Sequence, residues 1–159
     1  MAAGSADDPA DIRGWQRLSW DVTTSGRLEE ADVNRLAAIG VKQVVNLALD
    51  SHPEALVDEG GKFASVGIAY THIPVPFDAP DEAHYAAFRA AVEQGPRPVH
   101  VHCIMNWRVS AFFYRLHRDQ LGMPEAEARA LMTQQWEPDA ADKPEWAVWA
   151  KFIAPQADR

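Results

Sequence analysis

The chain has a single cysteine, Cys103, in 159 residues. One thiol excludes an intrachain disulfide and a multi-cysteine metal cage, and it fits a reducing compartment. Positive charge is also scarce. Fifteen Lys and Arg stand against 23 Asp and Glu, a formal net charge of −8 with no basic stripe. That balance speaks against nucleic acid or an acidic membrane surface as a partner. It leaves room for a small anionic ligand, because a local site can be positive on an acidic protein. No apolar run reaches the length of a membrane span. The first residues lack the basic-then-apolar pattern of an export signal, so a cytoplasmic location is expected. There is no internal repeat and no linker-like stretch between domains.

What is present suits one domain. The content of 47% hydrophobic and 24% charged residues is ordinary for a globular chain of this length. Residues 1–12 are small, acidic and Gly/Ser/Pro-containing and read as a flexible segment, with the domain spanning 13–159. Residues 15–22 read as an edge strand and 23–26 as a turn. A helix follows from about Glu29, closed by Gly40. Residues 41–49 and 68–75 read as strands, and Pro76 and Pro80 bracket a loop. Residues 81–94 read as a helix stopped by Gly95-Pro96, and Val99 to His102 as a buried strand. Helices are expected over 109–121, from Pro124 to about Gln135, and over 144–153, the last being Trp-rich core. Strands alternating with helical patterns predict an α/β fold with a mostly parallel sheet of about four to five strands flanked by helices.

The informative stretch runs from Val99 to Ser110, VHVHCIMNWRVS. A short β-branched run delivers Cys103 to a loop that opens a helix. Free N–H groups and the positive end of the helix dipole favour anions there, and the same field favours the reactive thiolate. Arg108 adds a permanent charge with a fork that fits phosphate oxygens. In parallel sheets ligands bind beyond the carboxyl ends of the strands, where Cys103 falls.

At Val101-His102-Cys103, Arg108 and Ser110 the chain resembles the cysteine-based phosphatases of the tyrosine and dual-specificity type. Their signature is His-Cys, five residues, Arg, then Ser or Thr. Ser25-Gly26, the helix to Gly40, Val44-Val45-Asn46-Leu47 and the loop from Pro76 to Pro80 are similar to a small bacterial group of such proteins with a shortened Cys-x4-Arg loop. The resemblance implies attack by the Cys103 thiolate on a phosphate monoester, a cysteinyl-phosphate intermediate, and an Asp serving as acid and then base. It implies no cofactor, and a phosphorylated small molecule or phosphoprotein as partner. Four residues separate Cys103 from Arg108, and none is Gly. Two alignments follow. Either the loop has lost a residue and Arg108 is the family arginine, or the loop keeps its length, with Ser110 at the family hydroxyl position and Val109 at that of the arginine.

Each candidate also has a plainer reading. Cys103 could be a small buried hydrophobe, and Arg108 one half of a surface ion pair. Ile104 and Met105 would offer backbone N–H groups to a bound phosphate. Asn106 tolerates a left-handed backbone and would replace the missing glycine. Trp107 would wall the pocket or pack on its own loop, and with Tyr85 it would favour aryl phosphates. Ser110 would bond the leaving thiolate or simply sit in a first helical turn. Asp78, 25 positions before Cys103 in the Pro-stiffened loop, stands where the resembling family usually presents its acid, and the resemblance implies that role for it. Its plainer role is to cap the next helix. Asp58, Glu59, Asp81 and Glu82 are substitutes. In the resembling family the His beside the Cys orders the loop by hydrogen bonding, which implies that role for His102. His100 and His102 face the same way on a strand, but no further spaced ligand completes a metal site. Two other classes share the strand–Cys–helix layout: a sulfurtransferase of the rhodanese kind, and a non-catalytic module that binds a phosphorylated partner.

Overall fold

The computed structural model describes residues 7–155. Its strands are β1 (Gln16–Ser19), β2 (Val22–Ser25), β3 (Gln43–Asn46), β4 (Ala69–His72) and β5 (Val99–His102). They form one sheet in the order β1-β2-β5-β3-β4, antiparallel only between β1 and β2. The helices are α1 (Glu30–Ala38), α2 (Glu59–Ala64), α3 (Glu82–Gln94), α4 (Trp107–Arg115), α5 (Glu125–Thr133) and α6 (Ala147–Ile153). The expected α/β fold with a mostly parallel sheet is what forms.

β5 lies in the middle, and alternation along the strands splits the core in two. Val45, Val99 and Val101 join one cluster with Phe88, Phe112, Trp149 and Phe152 of α3, α4 and α6. Val44 joins a second with Leu36 of α1 and Phe63 of α2. The parallel register aligns Ser25, His102, Asn46 and His72 at one edge. The segments leaving β2, β5, β3 and β4 therefore emerge side by side, and they build the candidate site.

Three local expectations are corrected. Residues 15–25 form a hairpin, with the turn at Trp20-Asp21 rather than at 23–26. Thr23 and Ser25 read as turn residues because they are polar, yet both are buried against a polar neighbour. Their hydroxyls lie 2.8 Å from Nδ1 and Nε2 of His100 on β5. The helix expected over 109–121 begins two residues earlier, because Asn106 turns the chain into it, and it ends in a π-helical turn over Leu116–Gln120. Of the segment expected to be flexible, residues 1–6 lie outside the described residues and the rest is held. Ile12 is buried in the second core and Asp8 pairs with Arg17 at 2.6 Å.

Candidate active site

Cys103 is the first residue beyond β5 and is buried. Its loop is held from both sides. The Cys103 N–H donates to Ser25 O at 3.3 Å, and the Ile104 carbonyl accepts from the Arg27 N–H at 2.9 Å. Gly26 makes this approach possible, since a Cβ there would lie 2.4 Å from Ile104 O. Asn106 closes the loop with φ 69, the left-handed backbone that its side chain tolerates. Its amide donates to Gly14 O at 2.7 Å and Thr24 Oγ1 at 3.0 Å. With the Ile104 carbonyl taken by Arg27, the N–H groups of residues 104–108 meet no protein carbonyl among the described residues. They are the free donors of a helix start.

A cleft of about 430 Å³ opens over this loop, lined by Cys103, Ile104, Met105, Trp107 and Arg108, with Leu49, Ser51, His52 and Phe77 opposite. Arg108 is buried. It donates to Val75 O at 2.8 Å, and no carboxylate among the described residues pairs with it. A buried guanidinium without a counter-ion is costly unless an anion completes it. Val109 lies wholly in the core. The arginine that reaches the cleft is Arg108, as both alignments require.

The aromatic walls are fixed by the far end of the chain. Trp107 stacks on Trp136 with centroids 5.0 Å apart, and Phe77 packs against both Trp107 and Trp149. The Trp149 indole N–H donates to Phe77 O at 2.5 Å. The Trp-rich C-terminal helix thus does more than fill the core, since it holds one wall of the cleft.

Some expected residues fall elsewhere. Ser110 Oγ donates to Trp107 O at 3.0 Å, within the first turn of α4, and lines a different, small cavity. It makes no bond to the thiol. Tyr85 is buried beneath Arg115 and takes no part in the cleft. Asn106 shapes the loop without lining the cleft. No carboxylate lines it either. Asp78 is exposed on the turn next to Phe77. The capping alternative for Asp78 fails, because Asp81 accepts from His84 N at 2.9 Å as the cap of α3. Of the substitutes, Glu82 pairs with Arg115 and Glu59 with His102, while Asp58 lines a separate cavity. Sequence reading misses Leu49, Ser51 and His52. A signal for them exists, because they leave the carboxyl end of the strand beside β5.

No cluster of three metal-binding side chains occurs among the described residues. Burial, followed by the charge of His102, pushes His100 well below the ordinary histidine range. Ser25 spends its proton on Gly26 O, so it accepts from His100 Nε2, and Nδ1 accepts from Thr23. His102 is bound differently. Nδ1 lies 3.1 Å from Cys103 O, and Nε2 lies 2.6 Å from Glu59 Oε2.

No protein-family model matches the chain, and a search of curated proteins returns no match. Among solved structures, a DUF442 protein of Shewanella putrefaciens CN-32, named as a candidate phosphatase, is 30% identical with a TM-score of 0.77. The match covers 94% of this chain and 96% of that one. This chain belongs to the DUF442 phosphatase-like family. Its phosphatase-like fold extends to more distant proteins. P. aeruginosa TpbA, as a cysteine-to-serine variant in complex with pTyr, is 21% identical over 92% of this chain and 87% of its own, with a TM-score of 0.66. Kinase associated phosphatase is 12% identical over 91% of this chain and 96% of its own, with a TM-score of 0.68. At these identities the likeness is one of fold. No helix among the described residues is long and apolar enough to cross a membrane.

Proposed function

We propose that this phosphatase-like protein hydrolyses phosphate monoesters through Cys103, with aryl phosphates as the preferred class. One observation carries the reading. Cys103 and the unpaired Arg108 open onto the same aromatic-walled cleft. A phosphoryl group above the thiol would accept from the loop N–H groups of Ile104, Met105, Asn106 and Trp107 and from the free edge of the Arg108 fork. The aromatic wall formed by Phe77 and Trp107 suits a flat ring attached to that phosphate. The fold that holds phosphotyrosine in the TpbA complex agrees with this class.

In the first step the Cys103 sulfur bonds to phosphorus and the bond to the leaving oxygen breaks. That oxygen takes a proton from Asp78. Water then attacks phosphorus, the S–P bond breaks, and inorganic phosphate leaves as the Asp78 carboxylate takes the water proton. Asp78 is chosen because the resemblance places the acid in this loop; Asp81, Glu82 and Glu59 are tied to other partners, and Asp58 lines a separate cavity. The turn that carries it also carries Phe77 of the cleft wall.

The test is hydrolysis of an aryl phosphate by wild type, Cys103→Ser and Arg108→Ala from about pH 5 to 8. Turnover lost in both variants is the expected result. Wild-type turnover no greater than that of Cys103→Ser would overturn the reading. Asp78→Asn should slow phenyl phosphate more than nitrophenyl phosphate, whose better leaving group needs less protonation. A second reading, a module that binds a phosphorylated partner without turnover, is favoured by the absence of a carboxylate from the cleft lining. Phosphopeptide binding that needs Arg108, with no hydrolysis, would establish it, and persulfide formation from thiosulfate would point instead to sulfur transfer.

A further inference from the structure

The pair formed by His102 and Glu59 is not needed to hold a substrate, yet it is among the most enclosed polar contacts in the molecule. The two side chains are 3% and 5% exposed and meet at 2.6 Å. The other ring nitrogen of His102 lies 3.1 Å from the Cys103 carbonyl. A carbonyl and an ionised carboxylate are both acceptors, so with Glu59 ionised both ring nitrogens donate. Such a ring carries a positive charge, one residue from the thiol. The groups around the pair agree with that arrangement. Tyr70 on β4 accepts from Asn46 Nδ2 of β3 at 3.1 Å, and burial together with the Glu59 carboxylate raises its hydroxyl well above the ordinary tyrosine range. His100, 6.3 Å away on the same strand, is held uncharged, first by burial and then by the charge of His102. Asp50, Asp58 and His72 line the cavity of about 230 Å³ on the far side of Glu59.

We propose that Glu59, carried to the site by α2, is a positioning residue that acts through His102 on Cys103. It holds the second proton on the imidazole, which anchors the Cys103 carbonyl and sets a positive charge on the residue next to the cysteine. The inference rests on the reading of Cys103 as the nucleophile, but its test does not require turnover. The readout is the rate of Cys103 alkylation by iodoacetamide as a function of pH. Glu59→Gln keeps the size and both hydrogen bonds, because the Gln amide can donate to Nε2 while Nδ1–H still reaches the carbonyl. It removes the charge. Alkylation near pH 6.5 should fall about tenfold. The gap should close above roughly pH 9, where a free thiol ionises unaided. In a His102→Asn background, Glu59→Gln should change the rate by less than about twofold, as expected for residues acting in series.

An unchanged profile in folded Glu59→Gln, a gap that persists undiminished to high pH, or additive losses in the double variant would each overturn the proposal. If Glu59→Gln does not fold, nitrogen-detected NMR of the wild-type protein decides. Both ring nitrogens of His102 should be protonated at neutral pH, and a singly protonated ring would overturn it. A protein that hydrolyses no phosphate ester but loses thiol reactivity in Glu59→Gln would sink the phosphatase reading and keep this one. Turnover that depends on Cys103, combined with unaltered alkylation in Glu59→Gln, would do the reverse.

Discussion

Helix α4 carries two buried arginines seven residues apart, and the molecule treats them in opposite ways. Arg115 is 0% exposed and its charge is paired. Its fork meets both Glu82 oxygens at 2.7 and 2.9 Å, and its plane lies over Tyr85 and Phe152 at 4.0 and 4.7 Å. Arg108, at the start of the helix, has one backbone carbonyl and the distant face of Phe77. Guanidinium does not shed its proton in a protein, so burial must be balanced by a partner. At Arg115 the partner is part of the chain. At Arg108 no carboxylate among the described residues supplies it, and the dipole of the same helix end also favours an anion. The difference separates a cation that is paired within the fold from one that, under the proposed function, pairs with the substrate, although the two residues look alike in the sequence.

The most forceful way to break the comparison is Arg108→Ala. Aryl phosphate turnover should drop by about a thousandfold or more, while the thermal midpoint stays near wild type, since no buried carboxylate is stranded. A large loss of stability would make Arg108 structural after all.

A sharper version uses His117, two residues beyond Arg115 and also buried. Unlike an arginine it can discard its charge, and burial pushes it down to about 4 from the ordinary 6.5. The unfolded chain then binds the proton that the native state refuses between those values. Stability is full above about pH 6.5 and declines as the pH falls toward 4, by about 3 kcal/mol. Thermal unfolding across this range in wild type and His117→Leu checks it, and the Leu variant should lose less. An equal acid loss in both would remove His117 as the cause.

Glu82→Ala tests the other arginine. Stranding a wholly buried guanidinium should cost about 2 kcal/mol, below the fully buried case because Glu82 itself is 61% exposed. Urea unfolding reads this, with turnover expected to change less than about twofold. The smallest effect separates two neighbouring carboxylates. Asp81→Ala should cost about 1 kcal/mol by uncapping α3, whereas Asp78→Ala should fall within about 0.5 kcal/mol. Equal losses would erase the distinction between a cap and a candidate acid.

Much of the frame around these arginines is legible in the sequence. The run from Val99 to His102 reads as a strand with the bounds it takes, and Asn106 stands out as the residue able to take a left-handed turn. The hairpin is harder to see because Thr23 and Ser25 are polar, and only a polar residue on the neighbouring strand makes their burial favourable. Ser110 has the right spacing for a role at the thiol, but a first-turn serine also finds a carbonyl in its own helix, and the nearer partner wins.

Local chemistry determined the α/β alternation, the strand that ends at Cys103 and the anion-seeking start of α4. These depend on residue type and short spacing, which a sequence displays directly. The rest depended on which residues the sheet order brings to one edge. Glu59 reaches His102 across 43 positions, and Trp149 reaches Phe77 across 72. Whether a buried charge is balanced, as at Arg115, or left open, as at Arg108, is a property of those long-range neighbours. Burial and pairing arise only when the chain closes on itself, so only the tertiary structure could decide them.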